Sequence, residues 1–200
     1  MVIDLRQCVG CGACALVCGQ QNGTPAKFWR KVEELGGDEQ PQRQRFFLPH
    51  SCMHCEYPSC EAVCPTRATY RRADGLVDID ARRCIGCGYC ILACPYRARE
   101  IYYDHLDFEI RTAAPGERNG TCTKCTFCRD IIDRGLAAGR RPGIDPDATP
   151  ACVVSCSAGA LTFGDLNDPL SNVNQLIRRH RTMRINAELG NEPAVYYIVP

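Results

Sequence analysis

The chain has 200 residues, a formal charge of +1 at pH 7 and 17 cysteines. So balanced a charge gives no general attraction to nucleic acid, and no apolar run approaches the ~20 residues of a membrane helix. Cysteine usage is close to that of disulfide scaffolds, but the count is odd and many thiols stand two residues apart, where strict Cβ geometry disfavours disulfides and clustered thiolates suit metals.

The predicted elements run as follows. Ile3 and Leu5 alternate with Asp4, as in a half-exposed strand. MVIDLRQC then meets the first cysteines directly, without the charged n-region and apolar h-region of a secretory signal. AKFWRKVEELG (26–36) reads as a helix stopped by Gly36-Gly37. CPTRATY (64–70), CPYRAREIYY (94–103) and CSAGALTFGD (156–165) each read as a short helix that ends and turns into a strand. Val77 and Ile79 alternate with Asp78 and Asp80, a second half-exposed strand. CRDIIDRGLAAG (128–139) is a helix ending near Gly139, and RRPGIDPDATP (140–150) a loop. The basic stretch LIRRHRTMRI (176–185) precedes PAVYYIVP (193–200), a strand.

An internal repeat organises these elements. IDLRQCVGCGACALVC (3–18) aligns without gaps on IDARRCIGCGYCILAC (79–94), with ten of sixteen positions identical. Four cysteine groups share one frame: Cys8, Cys11, Cys14, Cys18; Cys52, Cys55, Cys60, Cys64; Cys84, Cys87, Cys90, Cys94; and Cys125, Cys128, Cys152, Cys156. Each opens with C-x2-C and closes with C-x3-C. That frame makes Cys122 the supernumerary thiol; the competing pairing of Cys122 with Cys125 leaves out Cys128 instead.

Structural zinc takes C-x2-C pairs too, but its second pair usually sits on a distant knuckle. C-x2-C-x2-C-x3-C-P is instead the bacterial iron–sulfur run, in which three thiolates hold one [4Fe–4S] cube and the fourth serves its neighbour. Gly10, Gly12, Gly86 and Gly88 let backbone N–H groups approach the sulfurs, and Pro65 and Pro95 fix the chain after the fourth thiol. The crossover rule predicts Cys52, Cys55, Cys60 and Cys94 on one cluster and Cys84, Cys87, Cys90 and Cys64 on another. The outer groups then combine as Cys8, Cys11, Cys14 with Cys156, and Cys125, Cys128, Cys152 with Cys18. Gly19 and Ser157 stand where proline is expected after Cys18 and Cys156, which weakens that part. The fold expected is α+β: tandem bacterial-type two-cluster ferredoxin-like domains, one inserted in the other. Residues 1–44 plus 109–165 form the outer domain, 45–108 the insert, and 166–200 a basic segment and strand for subunit docking.

The motifs CVGCGAC…C, SCMHCEYPSCEAVCP, CIGCGYCILACP and KCTFCRDIIDRG…ACVVSC, with the late ELGNEPAVYYIV, make the chain similar to the four-cluster iron–sulfur subunits of the dimethyl-sulfoxide reductase family of molybdopterin enzymes. The resemblance covers nearly the whole chain. It implies a non-catalytic electron-transfer subunit with four [4Fe–4S] clusters, wired between a molybdopterin (molybdenum or tungsten) catalytic subunit and a quinone-reactive membrane subunit or other redox partner. A tryptophan replaces one ligand in certain nitrate-reductase-type subunits; here every position is cysteine, so no three-iron cluster is expected. A free-standing polyferredoxin shuttling electrons between soluble enzymes is the alternative. An enzyme with its own substrate site would need an open iron position, which sixteen complete ligands argue against. The absence of a twin-arginine signal fits the cytoplasm, and co-export with a signal-bearing partner fits the periplasm.

Other residues carry weaker signals. His54, inside the second group, is expected beside a cluster or partly exposed, since thiolates already complete the ligand set. Lys124 either raises the potential of the cluster at Cys125 or is solvated. Arg178, Arg179, His180, Arg181 and Arg184 read by default as a solvated helix face, with docking to an acidic subunit as the competing use. Tyr102, Tyr103, Tyr196 and Tyr197 read as core and interface rather than redox relays.

Overall fold

The computed structural model describes residues 1–36, 45–103 and 119–200. The expected domain junctions at 44 and at 108–109 lie outside these residues. Regular elements are short and are strung between cysteine loops. Strand β1 (Val2–Asp4) leads to helix α1 (Ala13–Asn22). Next come β2 (Lys31–Leu35) and β3 (Phe46–His50), paired antiparallel from Lys31↔His50 to Leu35↔Phe46. Helix α2 (Ser59–Ala62), the antiparallel pair β4 (Thr69–Arg71) and β5 (Val77–Ile79), and helix α3 (Tyr89–Ala93) follow. Strand β6 (Glu100–Tyr102) pairs antiparallel with β7 (Thr121–Thr123), and α4 (Arg129–Ala137) and α5 (Ala151–Val154) carry the last cysteines. Strand β8 (Leu161–Thr162), helix α6 (Asn172–Arg179), β9 (Thr182–Met183) and β10 (Tyr196–Ile198) complete the chain.

Four strands form one sheet in the order β8-β1-β10-β9. β1 lies parallel to β10, with Ile3 opposite Tyr197, and antiparallel to β8, with Ile3 opposite Leu161. β1 is buried on both faces, Ile3 in the main core and Val2 against Val173 of α6, and so is not the half-exposed strand its alternation suggests. Asp4 is buried with it and is neutralised by Arg6 at 2.7 Å. Asp78 in β5 is likewise buried, against Arg129, rather than solvent-facing. The C-terminal segment is part of the body: Tyr197 is fully buried, and its hydroxyl donates to the Pro49 carbonyl at 3.1 Å.

AKFWRKVEELG is not a helix. Residues 31–35 are strand β2, and helix propensity there yields to pairing with β3. Val32 packs on the core, Glu33 meets His50 at 3.0 Å and Lys31 meets Glu100 at 2.8 Å. Gly36, at φ 81°, turns the chain out of a strand instead of ending a helix. The helix at 128–139 is present as α4, and the 140–150 loop holds one short 3-10 turn, Pro146–Ala148.

Two helix contacts position everything that follows. α1 packs on α5, and α2 packs on α3, so the first cysteine group meets the fourth and the second meets the third. Between them sits a core rich in sulfur: six of the seventeen residues of the main buried cluster are cysteines, beside Ile3, Trp29, Met53, Phe127 and Tyr197.

Candidate metal centres

All seventeen cysteines are unpaired. Gly12 caps α1 in the left-handed region (φ 74°), which swings Cys14 in behind the loop of Cys8 and Cys11. These three thiols and Cys156 wall one cavity, closed by Val32 and Leu161. The Gly10 amide points at the Cys8 sulfur. Cys18 lies one helical turn beyond Cys14, on the same buried face. It neighbours Cys125, Cys128 and Cys152, and the Asn22 amide spans the gap, 3.7 Å from Cys18 Sγ and 3.8 Å from Cys128 Sγ.

Around α2 and α3, Cys52, Cys55, Cys60 and Cys94 wall a second cavity, with Pro58 and Tyr96. Cys84 and Cys90 are linked through Cys122, whose backbone N–H donates to Cys84 Sγ at 3.3 Å and whose sulfur lies 3.4 Å from Cys90 Sγ. Cys64 is held by its own loop, its sulfur accepting the Thr69 N–H at 3.4 Å. Cys11 and Cys87 are exposed, the equivalent second thiols of the two repeats. They are flanked by exposed apolar side chains, Val9 and Leu16 at one site, Ile85, Tyr89 and Leu92 at the other.

The donor set fits iron–sulfur clusters. Among the described residues no three Cys, His, Asp or Glu side chains converge as a single ion needs, whereas a cube with four corners keeps its thiolates further apart. Burial pushes the Cys14 and Cys125 thiols up to about 11 and Cys55 up to about 12. The metal-free chain therefore holds them protonated, and metal uptake must expel those protons.

Positive charge is buried among the sulfurs. Arg30 is 1% exposed, with Nη2 3.6 Å from Cys152 Sγ and 3.3 Å from Met1 Sδ. Arg99 donates to Thr69 Oγ1 at 3.0 Å, with the Cys122 sulfur 3.8 Å away. Lys124 is buried rather than solvated, its ammonium donating to the carbonyls of Val77 and Cys125. His54 is also fully buried. Its Nδ1 accepts the Val77 N–H at 3.1 Å, its ring stacks on Phe127 at 4.0 Å, and burial with the nearby Lys124 charge keeps it neutral. Arg30 and Arg99 are the residues that sequence reasoning missed. Nothing local separates Arg99 from Arg97, or Arg30 from a helix surface.

The tyrosines divide between core (Tyr102, Tyr197) and more accessible positions (Tyr103, Tyr196). Of the basic cluster, Arg178, Arg179 and Arg181 are exposed, while Arg184 pairs with Glu192 and stacks over Tyr196.

Comparison with known proteins agrees with this chemistry. Two families described as 4Fe-4S dicluster domains match residues 43–166 and residues 3–68. The B subunit of polysulfide reductase from Wolinella succinogenes is 38% identical over 100% of this chain and 93% of its own length. The B subunit of selenate reductase from Mesobacillus selenatarsenatis is 38% identical over 99% of this chain and 70% of its own. That of tetrathionate reductase from Salmonella typhimurium is 36% identical over 99% and 71%. With thiols for four [4Fe–4S] clusters grouped in two dicluster domains, the protein belongs to the family of iron–sulfur, electron-transferring B subunits of the dimethyl-sulfoxide-reductase type.

Proposed function

We propose that the protein carries electrons between a molybdopterin catalytic subunit and a membrane-bound, quinone-reactive subunit or an equivalent redox partner. The observation that carries this reading is similarity along the whole of this chain to the B subunits of polysulfide, selenate and tetrathionate reductases, combined with a main core in which six of seventeen buried residues are cysteines. Among the described residues no helix is long and apolar enough to cross a membrane; in this reading the partner makes the contact with the bilayer.

The sixteen thiols divide into Cys8, Cys11, Cys14 and Cys156; Cys125, Cys128, Cys152 and Cys18; Cys52, Cys55, Cys60 and Cys94; and Cys84, Cys87, Cys90 and Cys64. The two cavity walls, the neighbours of Cys18, and the α1–α5 and α2–α3 contacts support this division. The same contacts favour nesting, with the second and third groups forming one unit inside the unit made by the first and fourth. Cys122 stays outside the ligand set, its N–H turned to Cys84.

When bound, the clusters supply one-electron storage at tunable potential. The protein positions the thiolates, presents backbone N–H donors to Cys64, Cys84 and Cys125, and excludes water. The exposed surfaces around Cys11 and Cys87 put the two ends of the series within reach of partners. Purification under native, anaerobic conditions tests the reading: a large polypeptide containing molybdenum or tungsten should co-purify stoichiometrically. Isolation as a lone, fully loaded protein would favour the polyferredoxin. Cys156→Ser and Cys94→Ser test the ligand sets; each should perturb the EPR signal of the cluster held by the distant triplet, not that of its own.

A further inference from the structure

Three cations lie deep in the molecule: Arg30 (1% exposed), Arg99 (2%) and Lys124 (2%). Among the described residues none of them pairs with a carboxylate. Arg30 Nε and Nη1 and Arg99 Nη2 have no hydrogen-bond partner among the same residues. A buried charge without a counter-charge is strongly destabilising, so a protein that keeps three such cations needs negative charge close by. Among the described residues around them, that source is thiolate.

Their placement is regular. Arg30 faces Cys152 and Cys125 of one ligand set and Cys14 of another. Arg99 faces Cys60 and Cys52 of one inner set, and Cys90 together with Cys122 at the other. Lys124 is bonded to the Cys125 carbonyl and to the Val77 carbonyl in the inner half, and its charge is felt at Cys60. Each cation therefore occupies one junction: first to fourth cysteine group, fourth to second, and second to third. His54 and Phe127 stack at the middle junction beside Lys124 and are uncharged there.

We propose that Arg30, Lys124 and Arg99 are internal counter-cations, one at each junction of the four-cluster series, each setting the reduction equilibrium of the two clusters flanking it. This rests on the ligand sets given above. Reduction adds one negative charge to a cluster, and a fixed positive charge shared by two neighbours favours that step at both. The junction then becomes a place where the electron is welcome on either side, rather than a step down into one site. Charge, not shape, is the property required, and the roles are positioning roles: none of the three is a ligand.

EPR-monitored potentiometry of the full chain, isolated with its clusters, tests this with neutral and charge-keeping variants at each site. Arg99→Gln should disfavour reduction of the two inner clusters by about tenfold, which is about 59 mV for one electron, and leave the two outer clusters nearly unmoved. Arg30→Gln should do the reverse. Lys124→Gln should shift one cluster of each pair. Arg30→Lys, Arg99→Lys and Lys124→Arg should keep wild-type midpoints. Failure of a Gln variant to assemble clusters, where its charge-keeping counterpart assembles normally, also supports the proposal. It is overturned if the neutral and charge-keeping variants behave alike, whether both are normal or both fail, or if shifts ignore the junction mutated. Iron and sulfide content of the wild-type protein reports separately on the ligand sets: about sixteen irons with unmoved midpoints would sink the counter-cations alone.

Discussion

Residues 3–18 and 79–94 carry nearly the same sequence into different surroundings, and their comparison separates what the motif dictates from what its neighbours dictate. Both loops cap a helix with a left-handed glycine, Gly12 at φ 74° and Gly88 at φ 77°. That much is local. After the fourth cysteine they part. Pro95 forces Cys94 into an extended backbone (φ −82°, ψ 110°) and stops α3 after five residues. Gly19 follows Cys18, so α1 continues for ten residues, to Asn22. That extra turn places the Asn22 amide against the Cys18 and Cys128 sulfurs. One residue after the motif thus decides whether the repeat ends at its last thiol or goes on to contact the next ligand set.

The largest expected effect removes the feature that both repeats share. Helices of four to ten residues are below the length that holds alone in water, and much of the core is thiol. Cluster binding is therefore folding free energy, and the cluster-free protein should lose most of its structure. Circular dichroism of a chelated, reduced preparation checks this; a cooperative native-like melt without iron would contradict it.

Gly19→Pro would give the first repeat the stop of the second. Proline inside α1 should cost about 3 kcal/mol or more and withdraw Asn22, so denaturation midpoints and cluster retention should both fall. Next come the equivalent glycines of the two loops. A Cβ on Gly86 would sit 2.2 Å from the Gly120 carbonyl oxygen at φ 67°, against backbone. A Cβ on Gly10 would meet the Phe47 ring at 2.3 Å at φ 70°, against a side chain that can turn. Both lose about 1–3 kcal/mol to the backbone conformation, and Gly86→Ala adds overpacking of about 1–3 kcal/mol. Chemical denaturation should rank Gly86→Ala as the worse of the two; equal losses would show that the surroundings do not distinguish the repeats. The smallest effect is Asn22→Ala, about 1 kcal/mol for a hydrogen bond to the Cys18 carbonyl at 2.8 Å, with a slight fall in the potential of the nearby cluster.

The cysteine frame and the repeat could be read from spacing because each is local: a glycine cap, a thiol period, a proline stop. The stretches 64–70, 94–103 and 156–165 each open on a turn instead of the expected helix, because α2, α3 and α5 end before the cysteine; only their strands β4, β6 and β8 follow as expected. The 26–36 segment could not. Lys31, Glu33, Glu34 and Leu35 all favour helix, and only the pairing with Phe46–His50, which is distant in sequence, makes them strand β2. The burial of β1 was hidden for the same reason, since its parallel partner β10 lies at the other end of the sequence. Arg30 and Arg99 were illegible because a buried cation looks like a surface one until the sulfurs around it are assembled. Lys124 was noticed beside Cys125, but its burial under Val77 depends on β5 folding back over it.

Iron and acid-labile sulfide analysis, with EPR spin quantitation on anaerobically isolated protein, tests most directly whether sulfur-held clusters organise this molecule. The expected result is about sixteen irons and as many sulfides per molecule, resolving on reduction into four [4Fe–4S] centres. Zinc in the thiol sites, or iron far below that number after careful reconstitution, would contradict it.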